Sequence, residues 1–316
     1  MIELTVIGGY LGSGKTTLLN EILNRRDGER TAVIVNDFGT VNIDAEIIGS
    51  RDGRTMEISN GCICCDLSDG MAAAIDAVRS AEPPVSRVYV EVSGVGQPDI
   101  VTRWGDHPGF SRGKSIVCAD ITSVRRDVTR KWVGETVLSQ MRSADRLLLT
   151  KTDLVDEQTV YVVTDWLASQ PGIDAEVIDR SEILSGEPAQ RRDVPAKDPT
   201  DTKHASDSDS DHIRQVHSSW TITTTSAIDP DRLCALVQRL PETFVRAKGI
   251  FRDCRHPGRR FLIQYDRTRC ATDEVASNGT NPTEPGHLVV IAAGNHIETP
   301  VPVNELARAL HGQVGA

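Results

Sequence analysis

The 316-residue chain has few aromatic residues, no long apolar run and no excess of positive charge. Aromatic residues make up 4 % of it and hydrophobic residues 39 %, which is enough for a packed core. The formal net charge of −10 argues against nucleic acid or an anionic membrane as the main partner. No stretch approaches a transmembrane span, and Met1 leads straight into a predicted strand without a signal peptide. We therefore expect a cytoplasmic protein.

The cysteines are expected to be a poor disulfide framework. Their number, seven, is odd, and Cys62, Cys64 and Cys65 lie within four residues of one another. Thiolates favour Zn²⁺ or Cu(I), and three of them leave a tetrahedral ion one ligand short, which suits a site that releases its metal. Three structural cysteines or a redox pair are the alternatives. Three other cysteines have no ligand spacing and are expected to be ordinary: Cys234, Cys254 and Cys270.

The clearest motif is a G-x-x-x-x-G-K-[ST] match over residues 9–17, between a predicted strand and a predicted helix. Glycines let the backbone N–H groups wrap a triphosphate, and Lys15 is expected to reach the β- and γ-phosphates while Thr16 ligates Mg²⁺. A glycine-rich turn with an exposed lysine is the disfavoured alternative. The predicted phosphate-binding residues are Gly9, Gly12, Ser13, Gly14, Lys15, Thr16 and Thr17.

Acidic residues follow two further predicted strands. Asp37 comes after the strand at 31–35 and is a candidate for a Mg²⁺-linked switch, with a turn cap as the alternative. Glu91 ends the strand at 86–92, where an acid is expected to hold the Mg²⁺ hydration shell, and the N–H of Gly94 is expected to sense the γ-phosphate. Lys15 and Glu91 are the catalytic candidates.

A second nucleotide motif follows the predicted strand at 146–149. Thr150, Lys151 and Asp153 match [NT]-K-x-D, in which the aspartate accepts from N1–H and N2–H₂ of guanine and the lysine stem packs on the ring. The tetrapeptide alone is a weak signal. Its position after a core strand of a P-loop domain makes it strong and favours GTP over ATP.

The composition divides the chain into three parts. Residues 1–180 are predicted to form an α/β P-loop domain with a mainly parallel sheet. Residues 181–214 are an acidic linker rich in Pro, Ser and Asp, which predicts disorder. Residues 215–316 are predicted to form a smaller α+β domain with a polar insertion at 268–285. Three histidines lie near the aspartates of the linker: His204, His212 and His217. They are predicted to be either weak metal ligands or part of a solvated acidic loop.

Taken together, these residues resemble the CobW family of P-loop GTPases, relatives of the nickel-chaperone GTPases of urease and hydrogenase maturation. The resemblance covers nearly the whole chain. The segments that carry it are the loop at 9–17, V-N-D-F-G at 35–39 with Ile43 and Asp44, N-G-C-I-C-C at 60–65, E-V-S-G at 91–94 with Pro98, T-K-T-D at 150–153 and R-A-K-G at 246–249.

The resemblance implies a slow GTPase that acts as a metallochaperone, with GTP and Mg²⁺ as cofactors. Cys62, Cys64 and Cys65 would bind Zn²⁺, or Co²⁺, for a client metalloprotein. A cobalt-insertion accessory of cobalamin synthesis and a nucleotide-regulated metal sensor without delivery are the alternatives, and the oligomeric state, homo-oligomer or not, is left open. The chain departs from the family at Asp37, where glutamate is usual, at Thr40, where a second acid is usual, and at Thr150, where asparagine is common.

Overall fold

The computed structural model describes residues 1–24, 30–35, 55–59, 69–184, 216–267, 269–275, 285–294, 301–311 and 313–315. Asp37, Cys62, Cys64 and Cys65 lie outside these ranges, as do residues 185–214 of the linker predicted at 181–214. Residues 181–184 of that predicted linker belong to a short helix, Arg180–Leu184.

The first part of the chain builds a fully parallel sheet of seven described strands, in the order β3-β2-β4-β1-β5-β6-β7. Buried β-branched and aliphatic residues fill its inner strands, as expected for a sheet that is covered on both faces. The strands are β1 (Ile2–Gly8), β2 (Thr31–Val35), β3 (Thr55–Ser59), β4 (Arg87–Glu91), β5 (Phe110–Asp120), β6 (Arg146–Thr150) and β7 (Glu176–Ile178).

Helices connect these strands in the α/β manner. The described ones are α1 (Lys15–Leu23), α2 (Asp69–Arg79), α3 (Pro98–Thr102), α4 (Val124–Asp127), α5 (Gly134–Arg142), α6 (Glu157–Ala168) and α7 (Arg180–Leu184), with 3₁₀ turns at Arg103–Asp106 and Thr152–Leu154. None of the helices in the described ranges has the length and apolar character that a transmembrane span requires.

The second part of the chain builds an antiparallel sheet of six described strands, in the order β11-β10-β9-β12-β8-β13. Its elements are β8 (His217–Thr224), α8 (Pro230–Val237), β9 (Phe244–Arg252), β10 (Arg260–Tyr265), β11 (Cys270–Val275), β12 (Gly286–Ala293), α9 (Val301–Ala309) and β13 (Gln313–Gly315). The predicted α/β domain followed by a smaller α+β domain is therefore confirmed.

Several elements of the structure were not predicted from the sequence. Strand β11 lies inside the segment that was predicted to be a polar insertion, because its ladder with β10 rather than any apolar alternation holds it in the sheet. Strands β3 and β13 were not predicted either. Strand β5 begins at Phe110, five residues before the predicted start, since its first half pairs with β1 through an irregular register.

A disulfide joins Cys234 on α8 to Cys270 at the start of β11. The prediction that these two cysteines are ordinary was wrong. They are 36 residues apart in sequence, and only the packing of α8 beside β11 brings their Cα atoms within 5.9 Å. Cys118 and Cys254 are free thiols, buried and exposed respectively.

Candidate functional site

The loop after β1 adopts backbone conformations that only glycine tolerates. Gly9 has φ of 132°, and a Cβ atom there would lie 2.4 Å from the carbonyl oxygen of Cys118 and 2.6 Å from Ser13 Oγ. Gly14 has φ of 88° and immediately precedes α1. The loop is thus pressed onto β5, and its end turns into a helix N-terminus, the geometry that binds phosphate groups.

Lys15 lies inside this loop rather than in solvent. Its side chain is buried, and Nζ donates hydrogen bonds to the carbonyl oxygens of Gly9 at 2.8 Å and Tyr10 at 3.5 Å. An ammonium group in this position carries the positive charge to the centre of the loop. The exposed lysine of the alternative reading is not what the structure shows.

The end of β4 meets the start of α1. Thr16 Oγ1 donates a hydrogen bond to Glu91 Oε1 at 3.1 Å, and Glu91 is only 2 % exposed. A hydroxyl and a carboxylate therefore lie side by side, and the hydroxyl belongs to the residue that follows Lys15. Both are hard oxygen donors of the kind that Mg²⁺ prefers.

The segment after Glu91 packs against the same loop. A Cβ atom on Gly94 would lie 2.3 Å from Leu11 Cδ2 and 2.9 Å from the Leu11 backbone nitrogen. From α5, Gln140 Nε2 donates to the carbonyl oxygens of Gly94 at 3.3 Å and Gly96 at 2.7 Å. These contacts fix the position of Gly94 beside the loop.

Thr150 and Lys151 connect the end of β6 to the same place. Thr150 Oγ1 donates to the carbonyl oxygens of Ser13 at 2.9 Å and Ala119 at 3.3 Å, so this threonine braces the glycine loop against β5. Lys151 has φ of 57°, and its Nζ lies 2.7 Å from Asp120 Oδ2. Asp153 is exposed in the following 3₁₀ turn.

A cavity of about 380 Å³ opens between the two domains over these residues. One side of it is formed by the glycine loop, the start of α1, Thr122, Lys151 and Leu154. The other side is formed by residues of the second domain, on three strands of the antiparallel sheet and on the connection from β10 to β11, that were not predicted as site residues: Arg246, Gln264, Tyr265, Asp266, Arg269, Ala271 and Asp273. This volume lies within the range of small-molecule binding sites.

Two polar contacts cross between the domains, and the first of them lies at this cavity. Lys151 Nζ lies 3.6 Å from Asp266 Oδ2, and Tyr10 Oη is hydrogen-bonded to His217 Nε2 at 3.2 Å. Burial raises the pKa of the Tyr10 phenol well above its usual range, so this group stays protonated at neutral pH. His217 is therefore a buried interdomain residue of β8, and its grouping with the solvated linker histidines was wrong.

The metal-binding prediction concerns residues outside the described ranges. Within those ranges, no group of three or more His, Cys, Asp or Glu side chains is placed to hold a metal ion. Cys118 lies beneath the glycine loop, and burial raises the pKa of its thiol to about 12, against the opposing effect of Lys15. This thiol therefore stays protonated at neutral pH.

The fold and this site define a P-loop nucleotide-binding protein. Residues 3–178 match the model of the CobW/HypB/UreG nucleotide-binding domain, and residues 217–311 match that of the cobalamin synthesis protein CobW C-terminal domain. The first match alone covers more than half of the chain. The chain therefore belongs to the CobW/HypB/UreG family.

Curated relatives are similar over part of their length. The zinc chaperone YjiA of Escherichia coli is 35 % identical over 163 residues, which cover 49 % of this chain and 51 % of YjiA. The zinc chaperone CobW of Pseudomonas aeruginosa is 27 % identical over 212 residues, which cover 57 % and 56 %. The matched part thus spans about half the length of these relatives. The crystal structure of Zn(II)-bound YjiA GTPase from E. coli aligns with a TM-score of 0.43 and 21 % identity over 98 % of each chain.

Proposed function

We propose that the chain binds and slowly hydrolyses GTP in the interdomain cavity. The observation that carries this proposal is that the glycine loop, Thr16 and Lys151 line one cavity. Directly behind this lining, Glu91 accepts from Thr16 and Thr150 donates to the loop. Lys15 and the loop N–H groups would bind the β- and γ-phosphates and stabilise the charge that develops during phosphoryl transfer. Thr16 and Glu91 would hold a Mg²⁺ ion, directly or through its water, that shields the phosphate charge.

The base preference is assigned to Asp153. Its carboxylate would accept from N1–H and N2–H₂ of guanine, a pair of donors that adenine does not present. The exposed position of Asp153 in the turn after Lys151, next to the cavity residue Leu154, supports this role. Affinity for GTP, GDP and ATP measured by calorimetry tests it, with GTP and GDP expected to bind much more tightly than ATP.

The Asp153→Asn variant sharpens that test. An amide donates where the carboxylate accepted, so we expect it to lose GTP affinity and to gain affinity for xanthosine triphosphate, which carries a carbonyl at C2. Asp165→Asn, a change at an exposed position of α6, is the matched control. Equal binding of GTP and ATP by the unmodified chain would refute the guanine assignment.

We further propose that Cys62, Cys64 and Cys65 bind Zn²⁺ and that the nucleotide state controls its delivery to a client metalloprotein. The family relationship and the zinc-chaperone names of the relatives support this proposal. In the sequence, the motif lies between β3 and α2. A change in phosphate contacts there would alter the ligand geometry through an ordering transition of the kind known in nucleotide switches.

The test is a chelator competition for Zn²⁺ and Co²⁺ on the reduced chain, with GDP, with a non-hydrolysable GTP analogue and without nucleotide. We expect tight binding in one nucleotide state, much weaker binding in another, and loss of binding in Cys64→Ser. Cys254→Ser changes an exposed free thiol and is the control. Equal metal affinity in all nucleotide states would refute the coupling between nucleotide and metal. Unchanged metal affinity in Cys64→Ser would refute the cysteine site.

A further inference from the structure

One face of the antiparallel sheet is turned towards the P-loop domain. Its apolar part joins the same hydrophobic cluster as Tyr10, Val117 and Val137 of the first domain. Residues of the sheet in this shared cluster are Val245, Ile250, Leu262, Val289, Ile291 and Ala293. The two domains therefore share a core at this face, and the sheet packs against the glycine loop.

The same face continues as a polar surface over the cavity. Side chains alternate along a strand, so Arg246 and Lys248 lie on the face of β9 that carries Ile250. In the ladder, Lys248 is opposite Gln264 of β10, and Gln264 is opposite Ala271 of β11. Of these, Arg246, Gln264 and Ala271 line the cavity opposite Lys15 and Thr16. The face is thus apolar where it packs and polar where it meets the site.

The charge of the cavity differs from that of the whole chain. A chain with a net charge of −10 places four cationic side chains in this lining and only two carboxylates, Asp266 and Asp273. Lys151, one of the four cations, is paired with Asp120, which is not in the lining, at 2.7 Å and lies 3.6 Å from Asp266. The lining therefore has an excess of positive charge, which indicates an anionic ligand.

Arg246 is the cation of the second domain that is best placed for such a ligand. It is half-buried, whereas Arg269 is exposed. In the described part of the chain, no carboxylate lies within ion-pair distance of its guanidinium group. Its charge also reaches Tyr10 of the glycine loop, where it is among the groups that oppose the burial-induced rise of the tyrosine pKa.

We propose that Arg246 binds the phosphate groups of the nucleotide held by the glycine loop, so that the nucleotide joins the two domains. This inference rests on the proposed nucleotide site. A guanidinium group offers planar, two-pronged hydrogen bonds that match phosphate oxygens, and a half-buried position strengthens them. The antiparallel domain thereby supplies a phosphate ligand that the P-loop motif does not contain.

The experiment measures the affinity of the full chain for GDP, a non-hydrolysable GTP analogue and guanosine, each with Mg²⁺, in unmodified chain and in Arg246→Gln. The loss of a charge-assisted hydrogen bond predicts a roughly ten- to hundredfold weaker binding of GDP and the GTP analogue. Guanosine, which has no phosphate, should lose no affinity. Arg239→Gln, an exposed arginine after α8 that is not in the cavity lining, should bind like the unmodified chain.

A second variant, Arg246→Lys, keeps the charge and loses the two-pronged geometry, and we expect an intermediate affinity. Unchanged binding of GDP and the GTP analogue by both variants would overturn the inference while the proposed function stands. An equal loss for guanosine would overturn it as well, since the effect would then not involve phosphate. Failure of the unmodified chain to bind GTP would instead refute the proposed function.

Discussion

The two sides of the interdomain cavity are built from different parts of the polypeptide. The P-loop side consists largely of backbone: a glycine loop, a helix N-terminus and the ends of parallel strands, with Lys15 at the centre. The antiparallel side consists of side chains that project from neighbouring strands, Arg246, Gln264 and Asp273 among them. A backbone site needs a contiguous motif, whereas a sheet face collects residues that are distant in sequence.

This difference predicts which changes abolish binding and which weaken it. Lys15→Ala removes the ammonium from the P-loop side, and we expect nucleotide affinity to fall by more than roughly 100-fold, because several charge-assisted hydrogen bonds are lost together. Calorimetric titration with GDP measures it. Lys131→Ala, which removes an exposed ammonium over Trp132, is the control. Affinity of the Lys15 variant within threefold of the unmodified chain would contradict the assigned role of the loop.

Removal of the disulfide tests what stabilises the antiparallel domain alone. Replacing both Cys234 and Cys270 with serine removes a cross-link between positions 36 residues apart, and we expect the free energy of unfolding to fall by about 2–4 kcal/mol. Denaturant titration without reductant measures this change. Cys254→Ser should leave the stability unaltered. If the double variant is as stable as the unmodified chain, α8 and β11 are held together by packing alone.

A substitution at Gly94 tests the contact between this residue and Leu11 on the P-loop side. Gly94→Ala places a methyl group against Leu11, and we expect a loss of about 1–3 kcal/mol in stability together with weaker GDP binding, because the loop must shift. Thermal unfolding and GDP titration measure the two effects. Adding Leu11→Ala removes the side-chain part of the clash, and it should restore some of the stability. No change in either measurement would mean that the loop adapts without cost.

The smallest expected effect concerns the hydrogen bond between Tyr10 and His217, which connects the two domains. Tyr10→Phe removes the hydrogen bond to His217 and leaves the ring in place, so we expect a loss of about 1 kcal/mol in the free energy of unfolding. His217→Gln in the same background reports whether the two changes are coupled, through a double-mutant cycle. Additive effects would show that this interdomain contact does not stabilise the fold.

Much of the P-loop side could be predicted from the sequence. Residues 9–17 and 150–153 are contiguous motifs whose chemistry depends on backbone conformation, and the structure brings them to one cavity. Thr150 shows how the departure from asparagine is accommodated, because its hydroxyl donates to the carbonyl oxygen of Ser13. The roles assigned to Asp37, Cys62, Cys64 and Cys65 stay predictions.

The antiparallel side was not predictable in the same way. The R-A-K-G segment at 246–249 was noted as a family feature, but nothing in it specifies what Arg246 faces. Strand β11 was read as a polar insertion because an edge strand need not carry an apolar pattern. The pairing of Cys234 with Cys270 and the contact of His217 with Tyr10 join residues 36 and 207 positions apart.

Local periodicity and glycine conformation over short stretches were enough to predict the fold class and the phosphate loop. The position of the second domain over this loop, with Arg246, Asp266 and Asp273 in the cavity lining, became visible only in the folded chain. The physical reason is that strand register and domain packing arise from the burial of a shared apolar core. That burial brings polar side chains that are distant in sequence into one cavity, and no contiguous segment of the sequence indicates it.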